Sequence, residues 1–301
     1  MRLCLRRRPF DERRGPVTRR LRADLALLGV TLVWGSTFVL MQESVRLVPP
    51  YRLLSWRFAV ASLALIILSG RRLWHVPRRD LLAAGAVGVL LFAGYAFQTI
   101  GLQYTTAARS GFITGLTVVL VPLVALVVTR QGVPAGALAG VGLATVGLFL
   151  LSWPGWGGAD AVVLYGDLVT LGCTLAFALQ IVLVGRLAPR MGVAALTTAQ
   201  VVVVALLSTV LSLAEPPTGS LPLWLPGSVI FLGLAATALA FAVQARAQRF
   251  TTPTHTALIF AMEPVFAAFF AWILVGELLG GRALVGCALI LAGMIVAEAR
   301  S

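Results

Sequence analysis

From Phe250 to Glu277 the chain reads FTTPTHTALIFAMEPVFAAFFAWILVGE, with one carboxylate, Glu263, near its middle and Pro264 directly after it. About 20 apolar residues suffice to cross a bilayer, and this run is long enough. An acid at that depth costs about 2.5–3.5 kcal/mol on insertion scales. Pro264 has no backbone N–H, so it also frees the carbonyl of Phe260. Hydrocarbon tolerates such a pair only where it faces protein or a wet cavity. The stretch therefore predicts a membrane helix whose broken backbone borders a solute cavity.

Similar runs recur along the chain. Of its 301 residues, 59% are hydrophobic and 12% charged, against about 25% charged in a soluble domain. This describes a polytopic all-α membrane protein. The net charge is +13, and every basic residue is Arg. A basic excess also marks nucleic-acid binders. Here, however, nine of the 24 Arg lie in the first 22 residues and most others fall in short loops on one side. That is a topology signal, and no nucleic-acid partner is expected. Cys4, Cys173 and Cys287 have no metal-ligand spacing, and neither a metal site nor a disulfide framework is expected.

Ten spans are predicted, at roughly 23–42, 51–70, 81–103, 107–128, 134–152, 161–184, 193–213, 226–246, 253–275 and 280–298. Pro49-Pro50, Gly70-Arg71-Arg72, Pro154-Gly155, Pro189, Pro216-Pro217 and Gly280-Gly281 separate most of them. Residues 1–22 form a basic tail, read as a disordered topology anchor. The apolar stretch after it is too long for a signal peptide and lacks a cleavage site, so it reads as a retained first span. With the N-terminus inside, the inner loops hold Arg71, Arg72, Arg78, Arg79, Arg130, Arg186, Arg190, Arg246 and Arg249, and the outer connections only Arg46, Arg52, Arg109 and Arg282. Positive-inside counting thus predicts a cytoplasmic membrane protein with both termini in the cytoplasm, Arg300 included.

The chain also repeats. Shifted by 146 residues, Ala96–Gly147 matches the second half at 12 of 52 positions, among them Gln98 with Gln244, Thr105-Thr106 with Thr251-Thr252, Gly140 with Gly286 and Gly147 with Gly293. The division predicted is a first five-helix repeat at 23–152, an outer linker at 153–160 and a second repeat at 161–298. Five is odd, so the second copy is inverted relative to the first. Inverted repeats with a site near the midplane are a secondary-transporter architecture.

Trp34-Gly35-Ser36-Thr37-Phe38, Arg57-Phe58, Tyr104-Thr105-Thr106-Ala107-Ala108, Phe250-Thr251-Thr252-Pro253-Thr254, Glu263-Pro264 and Gly276-Glu277 occur in this order. In these motifs, in span count and in duplication, the chain resembles the EamA family of the drug/metabolite transporter superfamily over about residues 23–298. The resemblance implies ten helices around a central cavity and the movement of small organic solutes, often outward. Amino acids, other metabolites and toxic compounds are all within its range. The first half departs from the pattern, with Thr117-Val118 opposite Glu263-Pro264, a proline only at Pro122, and Gln131 opposite Glu277. Any ionisable chemistry is therefore asymmetric.

The candidate solute-binding residues are Trp34, Phe38, Tyr95, Gln98, Gln180, Gln244 and Glu263. Gln98 and Gln244 occupy equivalent places beside aromatic residues and offer both donor and acceptor, although an interhelical hydrogen bond explains them equally well. Gln180 is set opposite Phe38, and Gln200 is left without a repeat partner. Glu263 reads as a binding or proton-carrying group, or as a structural or gating one; its recurrence across a family with varied solutes favours the second. Pro264, Pro122 and Arg57 are assigned gating or structural roles. Arg57 is expected near the outer interface with its stem snorkelling, and Asp167 would be an attractive partner.

Secondary transport by alternating access is the function this pattern favours. A channel or a non-transporting sensor stays open, although no charged ring or carbonyl filter is visible. An enzyme is disfavoured: His75 and His255 pair with no obvious nucleophile, and no HExxH or Gly-x-Ser-x-Gly motif occurs. No cofactor is expected, and the absence of a phosphate-binding loop leaves a proton or ion gradient, exchange, or the solute's own gradient as energy source. The partners expected are a small-molecule solute and membrane lipid; nothing in the sequence selects an oligomeric state.

Overall fold

The computed structural model describes residues 17–70, 73, 76–105, 107–129, 132–152, 161–275 and 280–299. Outside them lie most of the basic tail, the 153–160 linker, Gln131, Gly276-Glu277, His75, and Arg71, Arg72, Arg130 and Arg300.

The described residues form helices and no strand. In order these are α1 (Val17–Val45), α2 (Pro50–Ser69), α3 (Arg78–Gly101), α4 (Ala107–Gly115), α5 (Thr117–Thr129), α6 (Ala135–Ser152), α7 (Ala161–Leu187) and α8 (Val193–Ser212). Then follow α9 (Trp224–Gly233), a π-helical turn (Leu234–Leu239), α10 (Ala240–Ala247), α11 (Pro253–Phe260), α12 (Glu263–Val275) and α13 (Gly281–Ala299). Seven helical stretches are long and apolar enough to cross a membrane, α4–α5 and α9–α10 each counting as one; Ala135–Leu150 and Leu284–Ala297 are shorter apolar helices.

Local chemistry sets several ends. Pro50 and Pro253 sit in the first turns of α2 and α11, where a missing N–H costs nothing. The Thr252 side chain caps α11 by accepting the His255 N–H at 3.2 Å. Gly70 closes α2 with φ of 51°, which glycine adopts without a Cβ clash. The carboxylate of Glu215 accepts the Tyr51 and Arg52 N–H groups at 2.8 Å each, covering the positive end of α2.

The surface is apolar and the interior is rich in small polar groups. Leu68 and Val127 are each 76% exposed, whereas Thr31, Thr99, Thr170, Thr197, Ser208 and Thr237 are fully buried. That distribution suits lipid outside and interhelical hydrogen bonds inside. Glycines set the closest helix contacts. A Cβ added at Gly140 would lie 2.5 Å from the Gly293 carbonyl oxygen, and one at Gly147 would lie 2.6 Å from that of Gly286. These contacts run α6 and α13 antiparallel. Likewise Gly94 meets Phe177 while Gly101 and Tyr104 meet Gly166, so α3 and α7 are antiparallel.

Candidate functional site

Two interrupted helices and one π-turn shape the centre of the molecule. α11 stops at Phe260 and α12 restarts at Glu263, so Glu263 and Pro264 open a new helix. The matching stretch breaks at Leu116 without any proline, and there the Thr117 hydroxyl donates to the Thr114 carbonyl at 2.6 Å. Packing therefore imposes the break in the first half, where no residue announces it. Pro264 and Pro122 are both buried behind the cavity wall rather than in it. Gly35 lets α1 cross the restart: a Cβ there would lie 2.7 Å from Phe266 Cβ and 2.9 Å from the Glu263 carbonyl oxygen.

A cavity of about 80 Å³, counted as the space open to the centre of a water-sized sphere, lies between these breaks, and Trp34, Phe38, Tyr95, Gln98, Gln180, Gln244 and Glu263 all border it. Arg57 borders it as well. Sequence reasoning passed over the rings of Phe177 and Phe260 and the hydroxyl of Thr114, which complete the wall together with Phe241, Thr37 and Thr117. Trp34 packs on Phe241 and Phe260 at centroid distances of 5.6 and 5.0 Å, and Tyr95 on Phe177 at 5.4 Å. These tilted and edge-on contacts are favoured by the ring quadrupole.

Arg57 departs from expectation. It is 2% exposed rather than snorkelling at an interface. Its Nε donates to Thr237 Oγ1 at 2.7 Å, and its Nη2 to Tyr95 Oη at 3.2 Å and the Ala236 carbonyl at 3.3 Å. Its guanidinium also stacks over the Tyr95 ring at 4.7 Å. The π-turn makes this possible, because its widened winding presents the Ala236 carbonyl sideways, where Trp34 Nε1 donates to it at 2.8 Å. Asp167 is not the partner of Arg57; it is bound by Arg109.

Four buried amides form a chain beside the cavity. Gln200 Nε2 donates to the Leu196 carbonyl at 3.1 Å, and Gln180 Nε2 donates to Gln200 Oε1 at 2.9 Å. Gln244 Nε2 donates to Gln180 Oε1 and to Gln248 Oε1, both at 3.2 Å, and Gln248 Nε2 donates to the Ile181 carbonyl at 2.9 Å. Gln98 stands apart, its Nε2 donating to Thr114 Oγ1 at 3.2 Å. Glu263 has no hydrogen-bond or ion-pair partner among the described residues.

Contacts recur at fixed spacings, and they correct two alignments. The Trp34–Phe241 ring pair has its match in Phe177–Tyr95. Gly88 packs on Gln200 and Val203 as Gly233 packs on Arg57 and Val60. The first two helices therefore match the second half at a shift of 143 residues, Gly88 matches Gly233 at 145, and from Tyr95 and Phe241 onward the shift is 146. Gln180 stands opposite Thr37 rather than Phe38, and Gln200 has a counterpart after all, Arg57.

The same shifts expose a paired device that sequence reasoning missed. Arg109 grips Asp167 through Nε at 3.0 Å and through a close Nη2 contact, and Thr105 Oγ1 donates to the same carboxylate at 2.7 Å. The counterparts are His255, Asp24 and Thr251. His255 Nε2 lies 3.2 Å from Asp24 Oδ1, yet Asp24 Oδ1 and Thr251 Oγ1 are buried without a hydrogen bond. Pro253 packs on Gly185 at the C-terminal end of α7, and Asp167 lies near its N-terminal end. At 1.5 Å per residue, the two devices are separated by about 27 Å along α7, close to a hydrocarbon core.

Comparison with known proteins agrees with this geometry. The model of the EamA-like transporter family matches residues 21–153 and again 164–298. An uncharacterized transporter of Archaeoglobus fulgidus is 30% identical over 283 residues, covering 94% of this chain and 87% of that protein. The uncharacterized transporter YyaM of Bacillus subtilis is 22% identical over 288 residues, covering 91% and 92%. A solved crystal structure superposes with a TM-score of 0.78 at 20% identity, covering 93% of this chain and 97% of its own, which shows a shared fold. With both halves matched, this all-helical membrane chain belongs to the EamA-like transporter family.

Proposed function

We propose that the protein is a secondary transporter that carries a small organic solute across the cytoplasmic membrane by alternating access. Ten segments cross in this reading, α4–α5, α9–α10 and α11–α12 counting as one each, and the second five run upside down relative to the first. The Asp24 end and both termini face the cytoplasm. Trp34, Phe38, Tyr95, Gln98, Gln180, Gln244 and Glu263 contact the solute, while Arg57, Pro122 and Pro264 hold the wall.

One observation carries the reading. An aspartate meets a basic residue at each end of the bundle; a threonine hydroxyl completes the set around Asp167, whereas Asp24 Oδ1 and Thr251 Oγ1 are left without a hydrogen bond. A rocking transporter needs this inequality, since one end must tighten as the other loosens. The ends also differ in chemistry: guanidinium is always charged, imidazole only when protonated.

The test is counterflow in proteoliposomes across a panel of amines, amino acids, nucleosides and sugars. Saturable, solute-dependent counterflow is expected. Non-saturating conductance, or no saturable flux with any class, would overturn the reading.

A further inference from the structure

The amide chain carries information about the solute. Its two outer members are pinned by backbone carbonyls, which only accept: Gln200 by Leu196 and Gln248 by Ile181. Gln200 must therefore turn Oε1 toward Gln180, and Gln180 must answer with its Nε2 and turn its own Oε1 toward Gln244. From the other side Gln248 also presents Oε1. Gln244 has to donate both N–H bonds from Nε2, and no flip of any single amide satisfies the chain. Its Oε1 is left over. Gln244 is 1% exposed and borders the cavity, and its Oε1 has no hydrogen-bond partner among the described residues.

A second acceptor in the same cavity, the Glu263 carboxylate, also has no hydrogen-bond or ion-pair partner among the described residues. Most donor groups of the wall are engaged, the exceptions being the Tyr95 O–H and Arg57 Nη1, which faces only the Met41 sulfur at 3.6 Å. Trp34 Nε1 and the Arg57 Nη2 serve the π-turn, Arg57 Nε serves Thr237, and Gln98 Nε2 serves Thr114. The Thr37 and Thr117 hydroxyls donate to backbone carbonyls. The guanidinium is thus already bound by neutral acceptors and stacked on Tyr95. Around the two free acceptors stand the rings of Trp34, Phe177, Phe241 and Phe260.

We infer that the cavity selects a solute with a flat apolar body and a protonated amine, and discriminates against the same body bearing a carboxylate. The ammonium supplies the donors that Gln244 Oε1 and Glu263 lack, and the rings take the body. A carboxylate would instead face two acceptors and a guanidinium whose Nε and Nη2 bonds it must displace, leaving only the Nη1 arm that holds the Met41 sulfur. This rests on the reading above only in that the cavity is where solute binds.

The test uses the full chain in lipid nanodiscs and four ligands sharing an indole ring: tryptamine, L-tryptophan, neutral 3-ethylindole and indole-3-propionate, each titrated calorimetrically. Tryptamine is expected to bind tightest, about tenfold or more above indole-3-propionate, as when a buried polar group goes unmatched. Gln244→Leu and Glu263→Gln are each expected to cut tryptamine affinity by about tenfold while sparing 3-ethylindole. Equal or tighter propionate binding, no binding of any of the four, or an amine preference that survives both substitutions would overturn the inference. The ligand series on the unmodified protein decides even where a variant fails to fold. Saturable flux of an anionic solute without amine preference would sink this inference and leave transport standing; amine binding with no flux would do the reverse.

Discussion

The glycine seam between α6 and α13 allows a magnitude to be worked out before any experiment. In Gly140→Ala the added methyl would lie 2.5 Å from the Gly293 carbonyl oxygen and 2.8 Å from Ala297 Cβ. Normal contact is about 3.5 Å, so the helices must part by about 1 Å, a gap that forfeits up to about half of each atom pair's 0.1–0.2 kcal/mol. Over about 40 pairs along the seam the loss is about 2 kcal/mol. Replacing glycine by alanine in a helix returns about 1 kcal/mol of propensity, leaving a net cost of about 1 kcal/mol. Gly142 lies on the same helix with nothing within 4 Å of an added Cβ. Gly142→Ala keeps the propensity gain and loses no packing, so the two variants should differ by about 2 kcal/mol. Reversible denaturant unfolding in detergent micelles measures both. Adding Gly293→Ala to Gly140→Ala should cost less than the sum of the two, because one separation relieves both clashes. Equal stability of the Gly140 and Gly142 variants would refute the reasoning, since it would mean that the seam carries no tight contact.

Three other outcomes follow from the geometry. Asp167→Asn should lower stability by about 1–3 kcal/mol, since it weakens both the Arg109 and the Thr105 bonds, while Asp24→Asn should cost under about 1 kcal/mol; thermal unfolding of the purified variants checks the order. Pro264→Ala should leave melting within about 2 °C of the parent, because the matching break at Leu116 forms with no proline; a loss larger than that would make proline, not packing, the cause of the break. Trp34→Phe removes the 2.8 Å bond to the Ala236 carbonyl, whose other donor, Arg57, remains. It should cost about 0.6–1.7 kcal/mol in the same micelle assay, and an unchanged stability would show that the π-turn carbonyl does not depend on the indole.

Some of the cavity could be read in advance because the bilayer makes its contents expensive. A glutamate and a proline in the middle of an apolar run have few places to go, and Glu263 does border the cavity. The equivalent amides Gln98 and Gln244 reach it too, from repeat alignment alone. Arg57 shows where such reasoning stops. An arginine near a helix end normally snorkels, and the carbonyl that holds it inside belongs to a π-turn between α9 and α10 that apolar residues do not announce. The Arg109–Asp167 and His255–Asp24 pairs went unseen for a simpler reason. The halves keep register at 146 residues only from Tyr95, late in the third span, onward, so an ungapped shift misaligned Asp24 with everything it matches.

What the amino-acid sequence determines here is everything that depends on the cost of polarity in hydrocarbon: helices without strands, apolar spans, a duplicated chain and an acid that needs shelter. Those costs are paid residue by residue, so they can be read residue by residue. Only the tertiary structure decided which amide oxygen was left without a partner, which base met which aspartate, and which rings faced one another across the cavity. These depend on a geometric closure among groups far apart in the chain: two carbonyls, at Leu196 and Ile181, together orient Gln244 through intervening amides, and none of those residues carries that orientation alone.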